Sequence, residues 1–279
     1  MSKIKIVTDS SCTMEAETVK KLGIHVIALS VMVDGVIYAN DENLPGEKFM
    51  EMMAHSKALP KTSQPPIGEF AELYDKLGQD GSKIISIHMT EALSGTVNAA
   101  RQAAQLSQAD VTVIDSDFTD QGLSFQVIRA AQLANEGASL EEIVAEVEKV
   151  KKNTKLYIGI SNLDNLVKGG RISRVAGMLS SIFNMKVVME LLNTELIVET
   201  KGRGVKTFNK WFSEFKNELQ SLPVKAIGIS HAEGLEITQG FKEALQEAFP
   251  DIHIPLLHTN PVIATHAGKG AFAIMFYTD

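Results

Sequence analysis

Three short segments of this 279-residue chain concentrate small polar side chains where apolar runs end. They are Thr62-Ser63-Gln64-Pro65-Pro66, Thr90-Glu91-Ala92-Leu93-Ser94-Gly95-Thr96 and Thr265-His266-Ala267-Gly268-Lys269-Gly270. Together they offer hydroxyls, an amide and one imidazole, which suits them to hold an anion without a permanent ion pair. The first cannot be helical, because Pro65 and Pro66 lack amide hydrogens and proline restricts its predecessor. The second joins an apolar run to an Ala-rich helical pattern. Its hydroxyls and free backbone N–H groups therefore stand at a helix N-terminus, which attracts negative charge. The third reads as a glycine-punctuated loop beside the last apolar run. Singly, each has a plain structural reading, with Ser94 as an N-cap and His266 as a satisfied loop histidine.

Other chemistries fail on spacing. Gly268-Lys269 lacks the first glycine of a P-loop, since position 263 is Ile, and Gly270 stands where magnesium needs Ser or Thr. Neither Gly202-Arg203-Gly204 nor Gly169-Gly170 extends into a dinucleotide fingerprint. Gly228-Ile229-Ser230-His231-Ala232 misses the final glycine of a nucleophile elbow, and Ala92-Leu93-Ser94-Gly95-Thr96 misses both outer ones. The 7 histidines include no His-Glu-x-x-His pair, and the single Cys12 excludes both an intrachain disulfide and a cysteine-cluster zinc site. No metal ligand set and no cofactor site is expected.

The elements that must position these residues alternate in type. Ile4–Thr8 is a strand pattern ending in the turn cluster Asp9-Ser10-Ser11, Glu15–Leu22 is helical, and His25–Val33 is β-branched and apolar. Asp34-Gly35 predicts a hairpin, followed by helices near Gly46–His55 and Ile67–Leu77. Strands at Lys83–His88 and Val111–Ile114 flank a helix over Gly95–Ser107, and helices at Gly122–Ala134 and Leu140–Lys151 follow. Such alternation predicts a parallel sheet covered on both faces. Beyond it, strands are expected at Tyr157–Ile160, Lys186–Leu192, Glu195–Thr200, Ala226–Ser230, Ile252–Leu257 and Phe272–Tyr277. Helices are expected near Val175–Ile182, Lys206–Gln220 and Leu235–Ala248. Leu192-Asn193-Thr194-Glu195 reads as a hairpin turn, so the second sheet is partly antiparallel. The division falls between Leu156 and Asp164, giving domains over 1–160 and 161–279.

A 44% hydrophobic content fills a substantial core, and 22% charged residues match an ordinary globular chain. No apolar run approaches the ~20 residues of a membrane span, so the expected location is the cytoplasm. The net charge of -7 argues against a nucleic-acid binder. Residues 151–216 depart from this, with 12 Lys and Arg against 5 Asp and Glu. That stretch reads as a solvated surface or as a basic face for an acidic partner.

The chain resembles the DegV family along essentially its whole length. The matching pieces are Lys5-Ile6-Val7-Thr8-Asp9-Ser10-Ser11, Thr62-Ser63-Gln64-Pro65, Leu93-Ser94-Gly95-Thr96, Val113-Ile114-Asp115-Ser116, Gly169-Gly170-Arg171-Ile172-Ser173 and Thr265-His266. The resemblance implies a two-domain α/β fold, with a Rossmann-like parallel-sheet N-terminal domain, a mixed-sheet C-terminal domain and a lipid tunnel between them. It implies a cytosolic protein similar to the lipid-carrying subunit of bacterial fatty acid kinase, which presents a bound long-chain fatty acid to a separate ATP-dependent kinase subunit. Contact with the membrane would then be transient, for lipid exchange. By the same resemblance Thr62, Ser94 and His266 form the carboxylate-binding set, with Ser63, Gln64, Gly95 and Thr265 beside them. Lys269 stands where the family often has proline, which predicts a more mobile turn behind His266.

The physics of such a ligand agrees. At ~0.8 kcal/mol per methylene, about fourteen of them contribute roughly 11 kcal/mol gross, so the chain dominates affinity and the head-group donors set position. Two other readings stand beside the carrier. One is an acyl- or carbonyl-processing enzyme using Ser94 or His266, which needs a base and an orienting carboxylate that no local motif supplies. The other is a lipid-sensing regulator. Lys168, Arg171, Arg174 and Arg203, all in the basic stretch, are the candidate docking residues for a kinase or other acidic partner.

Overall fold

A computed structural model describes residues 3–175 and 185–279. In chain order the first elements are β1 (Ile4–Asp9), α1 (Ala16–Leu22), β2 (His25–Ile27), β3 (Ser30–Val33), β4 (Val36–Ala39), α2 (Gly46–His55) and β5 (Lys61–Ser63). They are followed by α3 (Ile67–Gly78), β6 (Lys83–His88), α4 (Thr96–Leu106), β7 (Val111–Asp115), α5 (Asp120–Glu136) and α6 (Leu140–Asn153). The second half holds β8 (Thr154–Ile160), α7 (Asp164–Lys168), a 3-10 turn at Arg171–Arg174, β9 (Lys186–Leu192), β10 (Glu195–Gly202) and α8 (Lys206–Leu219). It closes with β11 (Val224–Ala232), α9 (Leu235–Ala248), β12 (Leu256–His258), α10 (Pro261–Ala267) and β13 (Ala271–Thr278). Among the described residues no helix is long and apolar enough to cross a membrane.

The strands form two large sheets and one small one. An all-parallel sheet of order β2-β1-β6-β7 forms the first half, and a mixed sheet of order β10-β9-β8-β13-β11-β12 forms the second. β8 pairs antiparallel with both β13 and β9, so the second sheet takes up the chain from Thr154, inside the span that the sequence reading gave to the first half. Apolar Ile143, Val147 and Val150 of α6 are buried, and the helix begins in a Ser139–Glu142 capping box.

The β-branched, apolar stretch His25–Val33 forms two strands. β2 lies in the parallel sheet, but β3 belongs to a third, antiparallel sheet of order β4-β3-β5. The change of sheet occurs at Leu29, whose N–H donates to Ser10 Oγ at 2.9 Å while its carbonyl accepts from Asn40 N at 2.8 Å. These bonds replace the ladder that would have continued the strand. Asp34 at φ 48 and Gly35 at φ 87 make the β3–β4 hairpin, as Asn193 at φ 48 and Thr194 at φ 69 make the β9–β10 hairpin. The strand expected at Ile252–Leu257 is confined to β12 at the sheet edge, since Pro255 cannot donate to a ladder. Apart from Val175, the helix expected over Val175–Ile182 lies outside the described residues; Val175 itself bridges Leu196 of β10.

Candidate functional site

A cavity of about 330 Å³ opens between the two large sheets. Apolar side chains dominate its wall: Leu29, Met89 and Leu93 from the first half, and Leu156, Ile158, Ile160, Leu166, Leu196 and Phe272 from the second. A cleft of this size, apolar with a few placed donors, matches a small-molecule site.

Thr62, Ser63, Gln64, Ser94, Gly95 and His266 all line it, with Thr62 against His266 and Gln64 against Gly95. Their local structures differ from the expected turns. Thr62 and Ser63 sit in β5, where Thr62 pairs with Val31 of β3. His266 is in the last turn of α10, which is no loop. Asn260 caps that helix, its side-chain oxygen accepting from Ile263 N at 3.1 Å, and Pro261 occupies the first turn. An Asn-Pro pair is a helix-start signal and was available in the sequence. Ser94 precedes α4, as expected, but Gly95 is the N-cap residue. Ser94 Oγ lies 2.8 Å from Thr96 Oγ1 and accepts from Thr96 N at 3.4 Å. Thr265 does not reach the cavity; it is buried and its hydroxyl donates to the Pro261 carbonyl at 2.8 Å.

His266 Nε2 and Thr62 Oγ1 are 2.9 Å apart. The opposite ring nitrogen, Nδ1, is buried with no hydrogen-bond partner among the described residues and rests over Gly169, where a Cβ would collide with it. Burial, and then the nearby Arg171 guanidinium, push His266 down to about 4, so the ring is neutral at pH 7. Gly95 likewise has no room for a Cβ, because the Gln64 side chain packs on it. The turn behind His266 is tied on three sides, which runs against the expected mobility. Gly268 N donates to Ala264 O at 2.9 Å, Gly270 N to Ala232 O at 2.7 Å, and Lys269 pairs with Glu233 at 2.9 Å.

The four basic residues differ in exposure. Arg171 lines the cavity, half-buried, with its Nε donating to Leu93 O at 3.2 Å and Nη1 to Gly169 O at 2.8 Å. It braces the loop that carries Ser94. Lys168, Arg174 and Arg203 are exposed. Val175 bridges Leu196 near the start of β10, whereas Arg203 follows its end. At ~3.3 Å per strand residue the two arginines are therefore about 20 Å apart.

One supporting group escaped the sequence reading. Asp9 ends β1 and is fully buried; its carboxylate accepts from His88 Nδ1 and Met89 N, both at 3.0 Å, and from Ser11 N at 2.9 Å. Burial pushes the carboxyl up, but these bonds outweigh it and hold the group below its usual value. His88 Nε2 is in turn 2.6 Å from Ser86 Oγ, which is 2.8 Å from Tyr74 OH. The chain lies wholly in the core and ties β1 to β6 at the root of the Ser94 loop. Only the Asp9-Ser10-Ser11 turn cluster signalled it.

This fold is shared with known proteins. The chain matches the model of the DegV family over residues 3–279, and it belongs to that family. It is 53% identical over 275 residues to a DegV domain-containing protein of Streptococcus pneumoniae, covering 99% of this chain and 98% of the relative. A DegV domain-containing protein of Listeria monocytogenes is 44% identical over 281 residues, with both chains covered completely. Among solved structures, DegV of Bacillus subtilis, described as a fatty acid binding protein, superposes with a TM-score of 0.92 at 31% identity over 100% of both chains. A DegV family protein of Thermus thermophilus, described by its fatty acid binding, gives 0.90 at 26% identity over 99% of this chain and 100% of the other.

Proposed function

We propose that this protein is a cytoplasmic carrier that buries a long-chain fatty acid in the cavity and holds its carboxylate with Thr62, Ser94 and His266. Ser63, Gln64 and Gly95 flank that set, and Thr265 supports it from behind. The observation that carries the reading is that Thr62, Ser94 and His266 all line one apolar cavity, with Thr62 and His266 in direct contact, in a chain whose structural relatives are described as fatty acid binding. Neutral donors leave the carboxylate oxygen nucleophilic, which fits delivery to a separate kinase subunit that makes the acyl phosphate for phospholipid synthesis. Lys168, Arg174 and Arg203 are the exposed cations for that docking, with Arg171 behind them. Membrane contact is transient, for lipid exchange.

The geometry does not favour an acyl-processing enzyme. His266 faces Thr62 rather than Ser94, and its other nitrogen meets no carboxylate among the described residues. Native mass spectrometry of freshly purified protein tests the carrier reading. A co-purifying fatty acid, converted to acyl phosphate only when kinase and ATP are added, supports it. A covalent acyl adduct on Ser94 contradicts it.

A further inference from the structure

The histidine of the proposed head-group set is held by a residue that does not itself line the cavity. Asn165 lies in the first turn of α7, half-buried, and its side-chain Nδ2 donates to the Thr265 carbonyl at 2.9 Å. The last four carbonyls of a helix have no partner inside it. In the last turn of α10, Ala264 O is met by Gly268 N at 2.9 Å and Thr265 O by Asn165. Thr265 is fully buried, so its carbonyl would be costly to leave unpaired. Nδ2 also approaches Met53 Sδ of α2 at 3.8 Å, and the Asn165 side chain packs on Gly268, where a Cβ would meet Cγ at 3.1 Å. The same residue fixes the floor under the imidazole. Its backbone carbonyl accepts from Gly169 N at 2.8 Å, and Gly169 is where His266 Nδ1 rests. The side chain thus holds the backbone one position before His266, and the main chain holds the surface under the ring. With Nδ1 seated against Gly169, Nε2 is left to meet Thr62 Oγ1 at 2.9 Å.

We propose that Asn165 is a positioning residue of the head-group site: by tying α7 to the last turn of α10, it sets where His266 Nε2 stands relative to Thr62 and the carboxylate. The inference rests on the fatty-acid reading above, in which His266 meets that carboxylate. Asn165 lies outside the cavity wall, so it acts only through His266. Without the amide, the last turn of α10 shifts off α7, the ring lifts from Gly169 and water reaches Nδ1. A displacement of ~1 Å is enough to slow a reaction strongly. The acyl chain, which supplies most of the affinity in that reading, is untouched.

The test compares Asn165→Ala and Asn165→Leu with wild type as full-length protein; leucine keeps the bulk and lacks the donor. Imidazole titrations are followed by nuclear magnetic resonance. His231 is the internal control, since burial and then His258 hold it too at about 4. His266, held at about 4 by burial and then Arg171, is expected to rise by about one pH unit or more in both variants, with His231 unmoved. Acyl-phosphate formation by the lipid-loaded variants with a cognate kinase is expected to fall about tenfold or more. Stearate affinity by calorimetry is expected to stay within about twofold. A His266 titration or a turnover as in wild type overturns the inference. Wild-type behaviour of Asn165→Leu alone does so too, because bulk and not the bond would then be responsible. Joint movement of His231 and His266 is general loosening and also overturns it. If neither variant folds, the wild type decides: Asn165 side-chain amide protons that exchange as fast as those of exposed Asn209 exclude the bond, and slow exchange supports it. Failure of the wild type to bind stearate overturns the fatty-acid reading and this inference with it.

Discussion

Thr62 and His266 are 204 positions apart in sequence and 2.9 Å apart in space. That contact joins the small antiparallel sheet to the last helix at the cavity wall, so the proposed head-group site needs both halves of the chain folded around it. The arrangement explains why neutral side chains suffice. In the proposed carrier the apolar wall supplies the affinity, and these residues have only to fix where the carboxylate sits.

Ser94→Ala removes one donor to a charged group, a loss of ~1.5–3 kcal/mol against roughly 11 kcal/mol gross from the chain. The variant is expected to keep co-purifying lipid but to yield acyl phosphate poorly with a cognate kinase. Kinase assays on the lipid-loaded variant check this, and unchanged turnover removes Ser94 from the site.

Gly169→Ala tests the ring position. The added Cβ would land on His266 Nδ1 and 2.9 Å from the Asn165 carbonyl oxygen, so ring or backbone must move. Acyl-phosphate formation is expected to fall, while thermal stability drops by about 1–3 kcal/mol through overpacking. Retention of wild-type activity would show that His266 tolerates displacement and does not position the carboxylate.

Acid sensitivity follows from the histidines. In the unfolded chain they titrate near 6.5, about the ordinary value, whereas folded His231 and His266 are both held at about 4. Between those values the unfolded chain binds more protons, so stability is lost as pH falls through that window. The loss is bounded at roughly 3 kcal/mol per group. Asp120, whose carboxyl is pushed up, acts in the opposite sense at the acidic end. Urea unfolding of delipidated protein across the window should show the decline, reduced in His266→Asn. A flat wild-type profile would mean these rings are not buried neutral.

Much of the fold was legible because strand and helix periodicities were clean, as at Lys83–His88 and Leu235–Ala248, where the observed bounds coincide with those expected. The break at Leu29 was not, since it depends on Ser10 and Asn40, which are local only after folding. Thr62, Ser94 and His266 were singled out by a motif resemblance, and the secondary structure was misread at two of them. Glycines around His266 suggested a loop, while Asn260-Pro261 marked the helix start. The bonds of Ser230 and Thr259 to Asp120 gave no sequence signal, because they form only through the packing of α5 against the second half of the chain.

Docking through the basic surface predicts a kinetic effect. Arg174→Glu and Arg203→Glu are expected to slow association with the kinase and flatten its salt dependence. Fatty-acid affinity should stay as in wild type. Because the two sites lie about 20 Å apart, their effects should add. Surface plasmon resonance at low and high salt measures both, and unchanged association rates in both variants would make this an ordinary solvated surface.

The most direct measurement is a crystal structure of the protein with a long-chain fatty acid bound. The account predicts the acyl chain between the two large sheets and the carboxylate oxygens within about 3.5 Å of Thr62 Oγ1, Ser94 Oγ and His266 Nε2, directly or through one bridging water. A carboxylate at the opposite end of the cavity, or one held by Arg171 alone with those three residues out of reach, would contradict it.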